Sequence, residues 1–420
     1  MKVFYCAFES IFDPVFDSQV VTFLEKINAR IKREEHEVRL IVFNSIGNIF
    51  KRKYLKKRKE IKKRLKGKCF FSVKVPYMYN FPYFFRISLF FNSLIAAVVF
   101  MWLNGIGKNR VVIHCRTEIG SFILLSLKKF FKLDIKVICD CRGIGSKEIL
   151  YRLNGKRGLY ASKKIEKVER FARRESDYIF CVSNSFKKYI IENNSVNLNK
   201  IKVVPCCIDG ERFAFDSGIR KSVRSELGLK EMFVVIYAGS MIKWQLPGEM
   251  VNIFKVFQRK IRNSVFLILT GDYDFTQTFM EKSSLSENDY IIASKSPDQM
   301  PRYLQAGDLA LLIREDNEVN KVAFPVKFGE YIRSGIPVLS SIISDIRNLI
   351  EENDLGFVIN SYKEVRVIER IADEVKGKLD YITSDHYKKI IGNTLGEKII
   401  WDNYVDSIVG VYQKLFNETI

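Results

Sequence analysis

The sequence predicts an α/β protein built from two doubly wound, mainly parallel sheets. Three observations carry that prediction. Short apolar runs rich in β-branched residues alternate with longer segments of helical spacing through the first half: "KVFYCAF", "EVRLIVF", "FSVKVP", "RVVIHCR", "IKVICDC", "DYIFCVS" and "IKVVPCCID". That is βαβ organisation, in which helices cover a mainly parallel sheet. After residues 209–230 the alternation restarts with "FVVIYAGS", "SVFLILTGD", "YIIAS", "LALLIR", "IPVLSS" and "GFVIN", which marks a second sheet. Finally, 420 residues with 47% hydrophobic content exceed what one core usually supports.

Taken in order, the first strand runs into "FESIFDPVFDSQ", a strand-to-helix loop carrying Glu9, Asp13 and Asp17. Next, "KRKYLKKRKEIKKRLKGK", residues 51–68, holds twelve Lys or Arg among eighteen residues and one acid, Glu60. At helical spacing Tyr54, Leu55, Ile61 and Leu65 give it only a sparse apolar seam, so attraction to an anionic surface dominates the expectation, with Lys56, Lys57, Arg58, Lys59, Lys62 and Lys63 at its centre. A solvated charge run is the alternative.

Residues 84–103 are apolar over the length of a membrane span, with Arg86 their only charge. Arg86, Ser88, Asn92 and Ser93 interrupt one end, which favours a helix buried against the sheet over a span; an interfacial helix lies between these readings. His114 and Arg116 end one strand, and Asp140 and Arg142 end the next. Ligands of doubly wound sheets gather at such strand ends, although a lone histidine there equally serves as a structural hydrogen-bonding group.

In the second half, "AFPVKFGEYIRSGIPVLSS" reads as a turn, a short helix started near Pro325 and ended by Gly335, and a buried strand. Phe328, Tyr331 and Ile332 form the packing face, while Lys327 and Glu330 share the outward one, toward solvent or a ligand. From about residue 395 the apolar spacing is helical with no further strand.

Several chemistries lose their support. No G-x-x-x-x-G-K-[ST], no G-x-G-x-x-G after the first strand and no G-x-S-x-G occurs, which argues against P-loop enzymes, ordinary dehydrogenases and α/β-hydrolases. "GDYDF", residues 271–275, offers an Asp-x-Asp to a metal, but its place directly after "VFLILT" fits a strand-end turn better. Eight cysteines sit mostly in strand-like runs, and the spacings at Cys139, Cys141, Cys206 and Cys207 are not those of structural zinc. No metal site is expected. Reduced thiols and the early Glu9 in "MKVFYCAFES" fit a cytoplasmic protein. The net charge of +21 calls for an anionic partner: a membrane surface, a phosphorylated substrate or nucleic acid.

The second half resembles family 4 of the retaining, nucleotide-sugar-dependent glycosyltransferases, of the bacterial cell-surface polysaccharide type. The resemblance runs in order through "VVIYAGSMIKW", "FLILTGD", "MPRYLQAGDLALLI", "PVKFGEYIRSGIPVLSS" and "DLGFVI", with a tail carrying Trp401 and Tyr412; before residue 200 only "EEHEVRLIVF" and "ESDYIFCVS" are similar. It implies the GT-B fold: two Rossmann-like domains, 1–205 and 206–395, facing across a cleft, and a C-terminal helix, 396–420, crossing back to the first.

It also implies a donor site. Glu330 then accepts hydrogen bonds from ribose hydroxyls, backbone N–H groups near Pro325 and Val326 meet the donor, Gly239 and Ser240 form the glycine turn, and Lys243 and Lys327 balance diphosphate charge. The resemblance breaks at Val322, where the family usually has its first glutamate, and Glu315, Asp316 and Glu318 are the nearest acids. On the first domain, position at strand ends and in the first strand-to-helix loop nominates His114 and Arg142 for the reaction centre and Glu9, Asp13, Asp17 and Arg116 for the acceptor side, with no base singled out among the acids. The expected activity is transfer of a sugar from a nucleoside diphosphate sugar, with no cofactor or metal, to a lipid-linked saccharide in capsule, O-antigen or teichoic acid synthesis. The enzyme would lie on the inner face of the cell membrane. A GT-B nucleotide-sugar epimerase is the nearest rival; a basic nucleic-acid-binding protein is more distant, since no recognition module appears.

Overall fold

The computed structural model describes residues 2–13, 15–31, 37–45, 53–65, 70–75, 91–99 and 111–418. The chain divides into two compact units, Met1–Pro205 with Tyr404–Ile420, and Cys206–Asn403.

The first unit is built on seven parallel strands: β1 (Lys2–Ala7), β2 (Glu37–Ser45), β3 (Phe70–Val75), β4 (Val111–Arg116), β5 (Ile135–Cys141), β6 (Tyr178–Cys181) and β7 (Ile201–Val203). Their order, β3-β2-β1-β4-β5-β6-β7, reverses direction between β1 and β4. Side-chain alternation separates the two faces of this sheet. Phe4, Cys6, Ile113 and Cys115 pack in one cluster with Ala96 and Ala97 of the helical residues 91–99, Ile123 and Leu127 of the helix Glu118–Phe131, and Ala161, Ile165 and Val168 of the helix Gly155–Glu175. Tyr5 and His114 point the other way, where Phe23 of the helix Thr22–Arg30 and Tyr412 of the helix Asp402–Asn417 meet them.

The second unit carries β8 (Phe233–Ala238), β9 (Ser264–Thr270), β10 (Tyr290–Ser294), β11 (Leu309–Leu312), β12 (Val338–Ser341) and β13 (Gly356–Ile359), all parallel and ordered β10-β9-β8-β11-β12-β13. Its direction reverses between β8 and β11. Both units are therefore Rossmann-like, each with a crevice beyond the carboxyl ends of its strands at the reversal.

The expected C-terminal segment from 396 splits. Ile208 donates its N–H to the Ile399 carbonyl and accepts from the Trp401 N–H, and fully buried Trp401 keeps residues up to 403 with the second unit. Only from Tyr404 does the chain pack with the first. Of the apolar segment 84–103, residues 91–99 are described: a helix that buries Asn92, Ala96 and Ala97 and exposes Phe91, Leu94 and Val98. Among the described residues no helix is long and apolar enough to cross a membrane.

The basic segment forms the helix Lys53–Arg64. Tyr54, Ile61 and Leu65 turn inward and only Leu55 of the expected seam is exposed. Lys57 pairs with Asp17, and Arg64 with Glu25, so the helix is fastened on the Tyr5 face. Lys56, Arg58, Lys59, Lys62 and Lys63 remain exposed. Cys6, Cys115, Cys139, Cys141, Cys181 and Cys207 are buried, and Cys69 lies outside the described residues.

Candidate functional site

In the second unit the reversal point is lined by three segments. The first is the turn after β8. Gly239 adopts φ 144°, which favours glycine, and a Cβ there would stand 2.3 Å from the Lys327 Nζ and displace the tip of that side chain. The second is the end of β11, where Arg314 follows the strand. The third is the helix Val326–Arg333, with Pro325 before its first residue. Gly335, at φ 72°, closes it, with its own N–H on the Ile332 carbonyl and that of Ile336 on the Tyr331 carbonyl. Phe328, Tyr331 and Ile332 are buried, and the Ala238 N–H donates to the Tyr331 hydroxyl at 2.9 Å, fixing the helix to the end of β8. The first-turn N–H groups at Val326 and Lys327 lack intrahelical acceptors by the geometry of any helix start.

The charged face then closes over the crevice. Lys327 Nζ donates to the Tyr237 hydroxyl at 2.9 Å, lies 4.4 Å from the centre of that ring and is 3.5 Å from Gln245 Oε1. Burial, reinforced by Arg314, brings its pKa down to about 7. Glu330 moves the opposite way, pushed up to about 7 by burial against the opposing pull of Lys327 and Arg212. Arg314 is the group sequence reasoning missed. Its Nε is buried without a hydrogen-bond partner among the described residues, and burial lowers its pKa as well. An ammonium and a carboxyl with shifted pKa values, beside a guanidinium whose Nε has no hydrogen-bond partner among the described residues, make an arrangement able to hold an anion and to accept from hydroxyl groups.

The other expected donor residues are placed less directly. Ser240 contributes its carbonyl to the Tyr237 hydroxyl. Lys243 is exposed on the turn Lys243–Gln245, and its neighbour Gln245 turns in to Tyr237 instead. Val322 is buried. Asp316 pairs with Lys321, and Asn317 donates to Glu315, on an exposed loop. Asp272 and Asp274 open the helix Tyr273–Glu281 on the surface.

A second polar cluster occupies the reversal point of the first unit. Arg116 Nε stands 2.7 Å from Glu9 Oε1, which joins the end of β4 to the loop after β1. Arg116 Nη1 and the Tyr5 hydroxyl are buried without hydrogen-bond partners among the described residues. Burial pushes the Glu9 carboxyl up despite Arg116. His114 is 1% exposed; its Nδ1 is 2.7 Å from the Tyr412 hydroxyl and its Nε2 is 3.5 Å from Asp140 Oδ2. Burial lowers its pKa, so the ring is neutral. Arg142 donates to Asp140 through Nε and Nη2. Of the expected acceptor-side acids, only Glu9 joins this cluster. Asp13 accepts from the Val15 N–H within its own turn, and Asp17 is taken up by Lys57 and Arg64.

Two parallel doubly wound units in sequence are the architecture of the GT-B glycosyltransferases. Solved structures of that class superpose on nearly the whole chain. The Anabaena protein Alr3699/HepE in complex with UDP matches with a TM-score of 0.70 at 13% identity, covering 99% of this chain and 100% of its own. Sucrose-phosphate synthase from Thermosynechococcus elongatus matches at 0.68 and 13%, covering 99% of each chain. WaaG, a glycosyltransferase involved in lipopolysaccharide biosynthesis, matches at 0.61 and 14%, covering 99% of this chain and 98% of its own. Residues 20–212 match the model of Glycosyltransferase Family 4, and residues 255–396 that of the Glucosyltransferase 3-like C-terminal domain. No curated protein sequence matches. Each half of the chain thus matches a glycosyltransferase model, and the whole chain shares the fold of GT-B structures.

Proposed function

We propose that the protein transfers a sugar, with retention of configuration, from a nucleoside diphosphate sugar to a lipid-linked saccharide during synthesis of a cell-envelope polysaccharide such as capsule, O-antigen or teichoic acid. The observation that carries the donor half is the Lys327, Arg314 and Glu330 cluster beside Gly239 at the β8/β11 reversal. In this reading the ribose hydroxyls donate to Glu330. The diphosphate lies against Lys327, Arg314 and the N–H groups at Val326 and Lys327, and Lys243 reaches it from the exposed turn. The UDP complex of the Anabaena protein, and its complex with UDP-glucose, support a nucleoside diphosphate sugar as the donor class.

Retention follows when the leaving diphosphate, stabilised by these cations, accepts the proton of the incoming hydroxyl on the same face of the sugar. No metal is required, because the cations and backbone donors carry the developing charge. Arg142, held by Asp140, and His114, which positions Asp140 through its 3.5 Å contact, serve the reaction centre, with Glu9 and Arg116 on the acceptor side. The exposed basic residues of the helix Lys53–Arg64 support a location on the anionic inner face of the cell membrane.

Thermal unfolding with and without nucleoside diphosphates, in excess chelator, tests the donor half, since a ligand of the folded state raises its melting temperature. Stabilisation by a nucleoside diphosphate in chelator is the expected result. Stabilisation that vanishes with chelator would return Asp272 and Asp274 to consideration as metal ligands, and none under any condition would remove the donor reading.

A further inference from the structure

The face of the seven-stranded sheet that carries Phe4 and Cys6 presents large apolar side chains beside basic ones. The helix Glu118–Phe131 ends in "KKFFK", Lys128 to Lys132, with Phe130 79% and Phe131 46% exposed. The two rings stack edge to face at 4.8 Å. Lys129 ties this tip to the next helix: its Nζ pairs with Glu175 at 2.7 Å and lies 5.0 Å from the Phe171 ring. Along the helix Gly155–Glu175, from Tyr160 to Glu175, runs an open groove of about 570 Å³. Lys163, Lys164, Lys167, Arg170 and Arg174 line it against two acids, Glu166 and Glu175. Both acids are already paired, with Arg170 and Lys129. Leu159 and Tyr160 are exposed beside it, and the helical residues 91–99 on this face expose Phe91, Leu94 and Val98, one stripe at helical spacing.

Large apolar groups left in water beside surplus cations fit one kind of partner, a surface at once apolar and anionic. We propose that the first unit seats on an anionic lipid bilayer through this face, with Phe130 and Phe131 entering the headgroup region and the lysines and arginines of Gly155–Glu175 over the phosphates. The helix Lys53–Arg64, on the opposite face of the same sheet, has turned Tyr54 and Ile61 inward and offers charge with a single exposed apolar side chain, Leu55. It attracts the enzyme to the membrane from a distance but does not anchor it. This inference rests on the membrane-surface reading proposed above, and only its choice of face is new.

Flotation of the full chain with phosphatidylglycerol/phosphatidylcholine vesicles, and with phosphatidylcholine alone, decides the matter. The parent is expected to float only with the anionic vesicles. Phe130→Ser/Phe131→Ser, at two exposed positions, is expected to keep its circular dichroism and bind about tenfold more weakly or worse. Neutralising Lys56 to Lys63 is expected to change mainly the salt dependence. As a positive readout, Phe130→Trp is expected to shift its emission to the blue on anionic vesicles and to be quenched by brominated lipid. Equal flotation of parent and Phe130→Ser/Phe131→Ser, with loss on neutralising Lys56 to Lys63, would overturn the chosen face and leave the membrane reading standing. A parent that never floats would remove the membrane reading itself. Loss of self-association in the Phe130/Phe131 variant without any flotation would assign the face to a second copy and overturn the proposal.

Discussion

Lys327 Nζ and the Tyr237 hydroxyl lie 2.9 Å apart, and the same nitrogen sits 4.4 Å from the centre of the tyrosine ring. A residue of the helix after β11 is thereby held over the end of β8, across the point where the strand order reverses. The ammonium is held by a neutral hydroxyl and a π-face, with Glu330 acting on it from nearby and no ion pair to it among the described residues. In the proposed function that charge meets the diphosphate.

Glu330→Ala is expected to weaken binding of a nucleoside diphosphate by about 1.5–3 kcal/mol, the usual worth of hydrogen bonds to a charged group. The fold should persist, because Phe328, Tyr331 and Ile332 hold the helix from its other side. Calorimetric titration reads the affinity, and a variant that binds like the parent would take Glu330 out of the donor site.

Much of this site was legible in the sequence, and the reason is local. Pro325, Gly335 and the apolar triplet Phe328, Tyr331, Ile332 fix the helix and its faces within a dozen residues, so Lys327 and Glu330 had to share the outward side. Arg314 and Tyr237 were not legible in the same way. Tyr237 reads as one more core residue of a buried strand, and nothing local shows its hydroxyl reaching the edge. Arg314 joins the site only because β11 is laid beside β8, a pairing made by residues some seventy positions apart in sequence, Leu309 with Val235. The way the seam of the basic segment faces was not legible, for a different physical reason. With so few apolar residues, its seam could not tell inward from outward, and the tertiary pairs Lys57–Asp17 and Arg64–Glu25 decided it.

Binding of a nucleoside diphosphate should depend on pH through Lys327. Its pKa in the free protein is brought down to about 7, so above that pH it is largely neutral. A diphosphate favours the charged form, so binding takes up a proton and affinity falls as pH rises from 7 to 9, by up to about tenfold per pH unit. Titration in buffers of different ionisation enthalpy should show that proton uptake at pH 8, and Lys327→Met should abolish it. Uptake unchanged in Lys327→Met would assign the proton elsewhere.

Arg314→Met separates the two halves of the donor. The buried Nε of Arg314, without a hydrogen-bond partner among the described residues, serves phosphate in the proposed site, so the variant should bind a nucleoside diphosphate about tenfold or more weakly. It should bind the bare nucleoside as before. Removing its charge should also raise the Lys327 pKa and move the pH dependence upward, because Arg314 contributes to lowering it. Equal losses for nucleoside and nucleoside diphosphate would point to a packing role.

The second unit depends on a buried carboxylate distant from this chemistry. Asp308 accepts from Arg220, from Arg224 and from the Val234 N–H, and Lys388 lies 3.7 Å away. Asp308→Asn leaves three buried cations undercompensated and is expected to cost about 3–5 kcal/mol in urea unfolding. Burial opposes the charged form of Asp308, but Arg220, Lys388 and Arg224 hold its pKa below the usual 3.8. Its stabilisation is therefore complete above that value and is lost as pH falls through the lower folded pKa. The parent's urea midpoint should drop below pH 4, and the variant's should drop less.

Gly239→Ala tests whether the glycine turn and Lys327 work as one device. At φ 144° a side chain strains the backbone, a cost of about 1–3 kcal/mol in stability that no other substitution relieves. The added methyl would also lie 2.3 Å from Lys327 Nζ and 2.8 Å from its Cε, so the ammonium must leave its place over Tyr237. Donor affinity should then fall by about the same factor in Gly239→Ala as in Lys327→Met. The double variant should be no worse than either alone, since the second change removes a contact the first has already broken. Stability should behave otherwise, because the strain at residue 239 remains whatever stands at 327. Additive losses in affinity would show that Gly239 meets the donor with its own backbone, independently of Lys327. No loss in affinity for Gly239→Ala would place the diphosphate away from both.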